Sequence, residues 1–293
     1  MGFLLSGTQI GPAFGPFVGG VIVTFTTWRV IFWVQSGLAV IALLLVIFVL
    51  PETMLRPRIK EIRETCGQHV RFVPINPLRP ILLFKYPNLL LTGIACGTLT
   101  FSMYSMITPI RYVIDPRFHL TSPLQAAFFY LAPGMGYLAG TQIGGRYADR
   151  VVRRWIRRRN GLRVPEDRLR TGLWALGITM PGSILIYGWC VDKAVGGIPV
   201  PVIALFVNAF SQLMVFPSLN AYSTEVMSSR STEVVGSKYL VQYVFAAAAS
   251  ASCLPTIKAI GVGWTSTICK YWSFHTDISC FCVMGRLHYG LGN

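Results

Sequence analysis

Charge drops out of this chain in long blocks. Residues 1–28 carry none, residues 30–50 carry none, and further apolar runs cover 86–110, 120–145, 171–191, 194–224 and 239–257. Each is close to the roughly 20 residues that an α-helix needs to cross the bilayer hydrocarbon. The pattern predicts an all-α integral membrane protein with about seven transmembrane helices. One more apolar stretch opens at Gly261-Val-Gly-Trp264-Thr-Ser266, but Lys270, His275, Asp277 and Arg286 follow closely. A charge at mid-bilayer costs at least about 2.5 kcal/mol. Residues 267–293 are therefore expected to form a non-spanning, disordered tail.

The first run has unusual content for a lipid-facing helix. Gly11, Gly15 and Gly19 recur every four residues, which places them on one helical face where another backbone can come close. Gly20 widens that row. Pro12 and Pro16 each remove an amide donor and crowd the preceding turn, so the helix is expected to bend there. A helix that merely dimerises needs a single small-xxx-small pair. Two prolines interleaved with the glycines point instead to a kinked helix at a moving seam.

The 293-residue chain carries a formal charge of +15, which on a soluble protein would suggest a nucleic-acid partner. The distribution argues against that. Of the 26 Lys and Arg, 17 lie in residues 54–85 and 146–170, and basic loops beside apolar spans mark the cytoplasmic face. In residues 54–85, Pro57, Pro74, Pro77 and Pro80 break any long helix. This segment reads as a cytoplasmic linker resting on an anionic bilayer surface. It divides the chain into a two-helix unit (1–53) and a larger helical bundle (86–266). Since the basic loops follow the second and fourth spans, the N-terminus lies inside, and an odd number of spans puts the C-terminus outside. A seven-helix receptor has the opposite orientation and is excluded. Cys96, Cys190 and Cys253 fall within apolar runs and read as free thiols.

The segment after the fourth run combines Gly145, Asp149, Arg150, Arg153 and Arg154. Gly145 allows a sharp exit from the helix. Asp149 can accept from the amides of a helix N-terminus, and the arginines can pair with Asp149, with phospholipid or with helix C-termini. A simple positive-inside anchor suffices for Arg157, Arg158 and Arg159.

Three of these patterns resemble known signatures. Gly-x3-Gly15-Pro16-x2-Gly19-Gly20 resembles the motif on the fifth helix of antiporters in the major facilitator superfamily. Trp28-Arg29-x-x-Phe32-Trp33 and Pro51-Glu52-Thr53, which bound the second run, resemble the sixth helix of the same proteins. The Gly145–Arg154 segment resembles the superfamily loop signature Gly-x-x-x-Asp-Arg-x-Gly-Arg-Arg in its second-half copy, with Val152 where the pattern has glycine. Across residues 1–266 the order of pieces is most similar to fungal twelve-helix drug:proton antiporters. The resemblance implies a partial major facilitator fold in which the seven spans are equivalent to helices 5–11. The first four helices and an intact twelfth would then be lacking. It further implies a multi-pass plasma-membrane protein that exports drugs, lipophilic cations or polyamines in exchange for protons by alternating access. In such proteins the loop cluster acts as a cytoplasmic latch.

A facilitator site lies near the bilayer midplane, so uncharged polar residues within spans are the candidate lining. These are Gln125 and Tyr130 on the fourth span, Asn208, Gln212 and Asn220 on the sixth, and Gln242 and Tyr243 on the seventh. Asn208, Gln212 and Asn220 keep roughly to one face and fit a cavity lining or an interhelical hydrogen-bond seam equally well. No carboxylate falls in the middle of an assigned span. Proton coupling draws on an embedded Asp or Glu, and that group is expected in the lacking half. With no His/Asp/Glu cluster and no Ser-His-Asp set in the spans, no enzyme, cofactor or metal is predicted. Two classes of function remain. One is a proton-coupled exporter of small molecules, inactive at this length. The other is a non-transporting protein that associates with another membrane protein through the glycine face.

Overall fold

In the computed structural model, residues 2–49, 79–118, 123–161, 165–227 and 230–290 are described. Long helices carry the chain: α1 (Gly2–Phe25), α2 (Arg29–Val49), α3 (Pro87–Ile107), α4 (Pro123–Arg158), α5 (Met180–Lys193), α6 (Pro199–Val226), α7 (Ser231–Ile260) and α8 (Val262–Gly290). Proline opens α3, α4 and α6, where its missing amide donor costs nothing and its fixed φ suits the first turn. Pro133, Pro217 and Pro255 lie inside α4, α6 and α7. Five stretches are long and apolar enough to cross a membrane: Arg29–Val49, Pro87–Ile114, Asp167–Lys193, Pro199–Val226 and Ser231–Ile260. Helix α1 is uncharged throughout, and α4 ends in the arginine-rich segment. The chain is an all-helical, multi-pass membrane protein.

Helix register follows from close approaches at small residues. Along α4, Gly136, Gly140 and Gly144 sit against Phe206, Phe210 and Met214 of α6 in step, so the two helices run parallel. Gly93 and Gly97 of α3 meet Val241 and Phe245 of α7 in the same sense. Gly188 of α5 faces Ser266 of α8, while Asp192 accepts from the Val262 amide at 3.2 Å, an antiparallel pairing. Two apolar cores fill the spaces between these helices. One gathers Leu99, Met180, Val215, Leu219 and Tyr222, and the other gathers Ile110, Ile114, Ile184, Tyr187 and Leu205.

The two N-terminal helices lie outside this bundle in different ways. The turn between them is as short as the sequence indicates, with the Thr26 amide bonded to the Ile22 carbonyl at 2.8 Å and Arg29 over the Trp28 ring at 4.9 Å. Helix α1 packs on α4 through Phe14, which reaches the Tyr137–Leu213 cluster, and through Phe17, whose ring centre is 5.6 Å from that of Phe128. Helix α2 buries none of its residues.

Three expectations meet the structure differently. The linker expected over 54–85 lies outside the described residues up to Leu78; only its end is described, as a helical turn Arg79–Leu82 and a 3₁₀ turn Leu83–Lys85. The helix exit expected at Gly145 does not occur there, because α4 continues to Arg158. The disordered tail is corrected: α8 is a continuous helix from Val262 to Gly290. The reason is that Lys270, Ser273 and Asp277 recur at i, i+3 and i+7 on one face, and all three are buried against protein. Charges that would be intolerable against lipid are turned inward.

Candidate functional site

Among the described residues, Gly11 and Gly15 of α1 face no neighbour and Gly19 faces only α2. A Cβ at Gly11 or Gly15 would find nothing within 4 Å among the described residues, and one at Gly19 would touch only Ile31 Cδ1 of α2, at 3.8 Å. Pro16 is exposed, the Pro12 side chain lies outside the described residues, and the Gly20 carbonyl accepts from Thr24 Oγ1 at 2.8 Å. The helix passes through both prolines without a break. The glycines closest to a neighbouring backbone are on α4. A Cβ at Gly136 would lie 2.5 Å from the Phe206 carbonyl oxygen, at Gly140 2.7 Å from that of Phe210, and at Gly144 2.9 Å from Met214 Cα. They share the four-residue spacing that singled out α1, so the signal was present in the sequence. Spacing alone does not say which row is covered.

Polar side chains of α6 are handed to different neighbours. Asn208 Nδ2 donates to Ser183 Oγ of α5 at 3.3 Å, and Ser211 Oγ donates to Thr179 Oγ1 at 2.8 Å. Gln212 Nε2 donates to the Leu99 carbonyl of α3 at 3.0 Å. Ser218 pairs with Thr171 at 3.0 Å. Asn208 and Gln212 are therefore buried in a hydrogen-bonded seam, but the seam is incomplete. Gln212 Oε1, Asn220 Oδ1 and, on α7, Gln242 Oε1 are buried without a hydrogen-bond partner among the described residues. A buried acceptor left in that state costs about 1–3 kcal/mol, so this face is suited to water or to a ligand donor. Tyr130 is half-buried against the apolar core around Tyr187, Tyr243 is exposed, and the Gln125 side chain lies outside the described residues.

A second polar seam, which sequence reasoning missed, runs between α3 and α8. Thr98 Oγ1 donates to Asp277 Oδ1, and Phe101 packs edge-on against Trp272 with ring centres 5.3 Å apart. Pro109 and Ser105 share a small cavity with Thr265 and Cys269. The pairs run in opposite directions, so α8 returns antiparallel along α3. Asp277 is 2% exposed and Lys270 3%, and Lys270 Nζ, Ser273 Oγ and Ser102 Oγ lack hydrogen-bond partners among the described residues. The i, i+7 spacing of Lys270 and Asp277 was visible, but an apolarity count treats such residues only as a cost. On α7, Lys238 is also buried, 5.0 Å from the centre of the Phe216 ring and 4.5 Å from that of Tyr239, a cation–π arrangement.

At the basic end, Asp149, Arg150, Arg153 and Arg154 are exposed on the last turns of α4. Arg150, Arg153 and Arg154 line a surface hollow of about 410 Å³ together with Arg157 and Arg158. Gly145 is half-buried. The buried acid of this region is Asp167, which pairs with Arg159 at 3.0 Å and Arg170 at 3.8 Å. Arg168 pairs with Glu225 at the end of α6, at 3.2 Å, tying the basic segment to that end of the bundle.

Known proteins resemble this chain over much of its length. Quinidine resistance protein 3 of Saccharomyces cerevisiae is 24% identical over 198 residues, which is 67% of this chain and 28% of that protein. Efflux pump radE of Floropilus chiversii is 25% identical over 283 residues, 90% of this chain and 52% of the pump. MFS antiporter QDR3 of Candida albicans is 26% identical over 192 residues, 64% of this chain and 27% of the antiporter. The chain thus matches about half of these relatives' length or less. The sequence profile of the Major Facilitator Superfamily matches residues 1–251. A match over that much of a chain built from packed apolar helices makes it a member of the Major Facilitator Superfamily, a family of transporters rather than enzymes.

Proposed function

We propose that this chain belongs to a proton-coupled exporter of small molecules, moving drugs, lipophilic cations or polyamines outward by alternating access at the plasma membrane. The observation that carries the reading is a set of buried acceptors on α6 and α7. There Gln212, Asn220 and Gln242 each keep a buried amide oxygen free of hydrogen-bond donors among the described residues. In an apolar bundle, acceptors of that kind suit a protonated amine or a bound water, and relatives named for efflux and quinidine resistance support the same substrate class. Asp277, buried against Thr98 on the helix face that also carries Lys270, is the candidate for the coupling proton in this half of the fold. The latch role of Gly145, Asp149, Arg150, Arg153 and Arg154 and the seam role of Gly11, Pro12, Gly15, Pro16, Gly19 and Gly20 belong to the same proposal.

The test is flux. Vesicles containing the chain, alone and with a protein supplying the further helices of a relative, are given an imposed pH gradient and a radiolabelled lipophilic cation or polyamine. The reading expects saturable, gradient-driven movement in the combined vesicles and none with this chain alone. Failure in both, with correct insertion, would remove it. A second reading, association with another membrane protein without transport, is favoured by Gly11 and Gly15 of α1, which face no described residue. Co-purification of a membrane partner that is lost on Gly15→Leu, with no flux in either preparation, would establish it instead.

A further inference from the structure

The arginine-rich end of α4 does more than carry charge. Trp155 is enclosed by three guanidinium groups: Arg170 lies 4.1 Å from its ring centre, and Arg158 and Arg159 lie 5.4 Å away. Like charges gathered round one ring repel, and the buried Asp167 partners only Arg159 and Arg170 among them. These contacts form one wall of a hollow of about 560 Å³ between α4 and the turns leading into α5. Its lining includes Tyr147, Arg154, Trp155, Arg158, Arg170 and Trp174, and no acidic residue among the described ones. The groups from α4 share a face by helical spacing. Arg170 and Trp174 are brought opposite them by the 3₁₀ turn Pro165–Gly172.

The position of the hollow identifies its occupant. Leu173 and Trp174 are 51% and 68% exposed, and Ile178, one helical turn further along, is 61% exposed. All three belong to the apolar stretch Asp167–Lys193. The arginine side of the hollow therefore opens at the level where tryptophan and tyrosine collect, between headgroups and acyl chains. Its other side continues into a lipid-facing apolar strip. A guanidinium fork matches phosphate oxygens in geometry as well as charge. A soluble anion would satisfy the arginines but leave Leu173, Trp174 and Ile178 uncovered. We propose that this hollow is a binding site for one anionic phospholipid, its phosphate held by Arg154, Arg158 and Arg170 and its acyl chain lying along Trp174 and Ile178.

The competing account is a diffuse basic surface that attracts any anionic bilayer in proportion to its charge. The two differ in what charge-preserving changes do. The full chain is purified from phosphatidylcholine vesicles containing a minority of phosphatidic acid, and retained lipid is counted by native mass spectrometry. The site predicts one phosphatidic acid retained in preference to phosphatidylcholine. It predicts at least a tenfold loss of that retention in Trp155→Ala and Arg170→Lys, with no loss in Arg150→Gln, which removes a charge outside the hollow. Equal loss in Arg150→Gln with none in Arg170→Lys would overturn the proposal in favour of the diffuse surface. Release of the lipid by inorganic phosphate would overturn it in favour of a free-anion site. If Trp155→Ala does not give folded protein by circular dichroism, Arg158→Lys and Arg170→Lys carry the test.

Discussion

At the scale of single residues, what matters is which small or charged positions are covered. Gly140→Val forces a side chain to within 2.7 Å of the Phe210 carbonyl oxygen and 2.9 Å of Leu213 Cβ. Overpacking of that kind typically costs about 1–3 kcal/mol, and here part of the obstruction is backbone. Gly15→Ala meets no described residue within 4 Å and replaces a poor helix former, so it is expected not to lower the thermal midpoint of the detergent-solubilised chain. Equal destabilisation by both changes would show that α1 packs differently. The two rows look alike in sequence, since each repeats glycine every fourth position. The prolines drew attention to α1, whereas covering depends on a partner helix 60 or more residues away. Lys270 and Asp277 give a related lesson. Read against lipid they argue for disorder; read against α3 they argue for a packed face. Their interaction is testable by a double-mutant cycle. Asp277→Asn and Lys270→Met should each destabilise, with the double variant more tolerant than the sum by about 0.5–3 kcal/mol, because the two charges attract along the buried face they share. Strict additivity would separate the two groups.

At the scale of elements, apolar runs placed the spans well and their ends poorly. Helix α7 begins at Ser231, eight residues before the run that announced it, because Lys238 is accommodated over the Phe216 and Tyr239 rings. Helix α4 outlasts its apolar run by more than three turns, through arginines that solvent and aromatic rings can hold. Runs of hydropathy register lipid, not these protein partners. The start of α8 shows how a boundary is set from elsewhere in the chain. Gly261 has φ +83°, turning the backbone sharply after α7, and Asp192 of α5 then accepts from the first amide of α8 at 3.2 Å. A carboxylate there satisfies an orphan donor and suits the positive end of the helix. Asp192→Ala is expected to cost about 0.5–2 kcal/mol, concentrated at this junction. Hydrogen exchange should accelerate in the amides of 262–266 and leave those of α6 unaffected. Uniform acceleration would mean that Asp192 supports the whole bundle rather than this cap.

At the scale of the whole molecule, helix directions decide which face each end occupies. By its excess of arginine, the basic segment 146–170 is expected on the cytoplasmic side, and the Arg168–Glu225 pair puts the end of α6 beside it. Parallel packing of α4 with α6 agrees, as does parallel packing of α3 with α7 in the opposite sense. The parallel pairs agree with helix order, in which an even number of crossings separates their members. Seven crossings leave the C-terminal end outside, and an eighth would bring it back. Helix α8 is antiparallel to both α3 and α5, so it returns toward the arginines, and Val283, 42% exposed, should face the cytoplasm. In a background with the native cysteines replaced, Val283→Cys is expected to resist a membrane-impermeant maleimide in intact cells and to react after permeabilisation. Labelling in intact cells would mean that α8 does not follow α3 in the bilayer. The proposal that Asp277 carries a coupling proton would then lose its packed site, while the phospholipid hollow on α4, built from residues before α8, would stand unaffected.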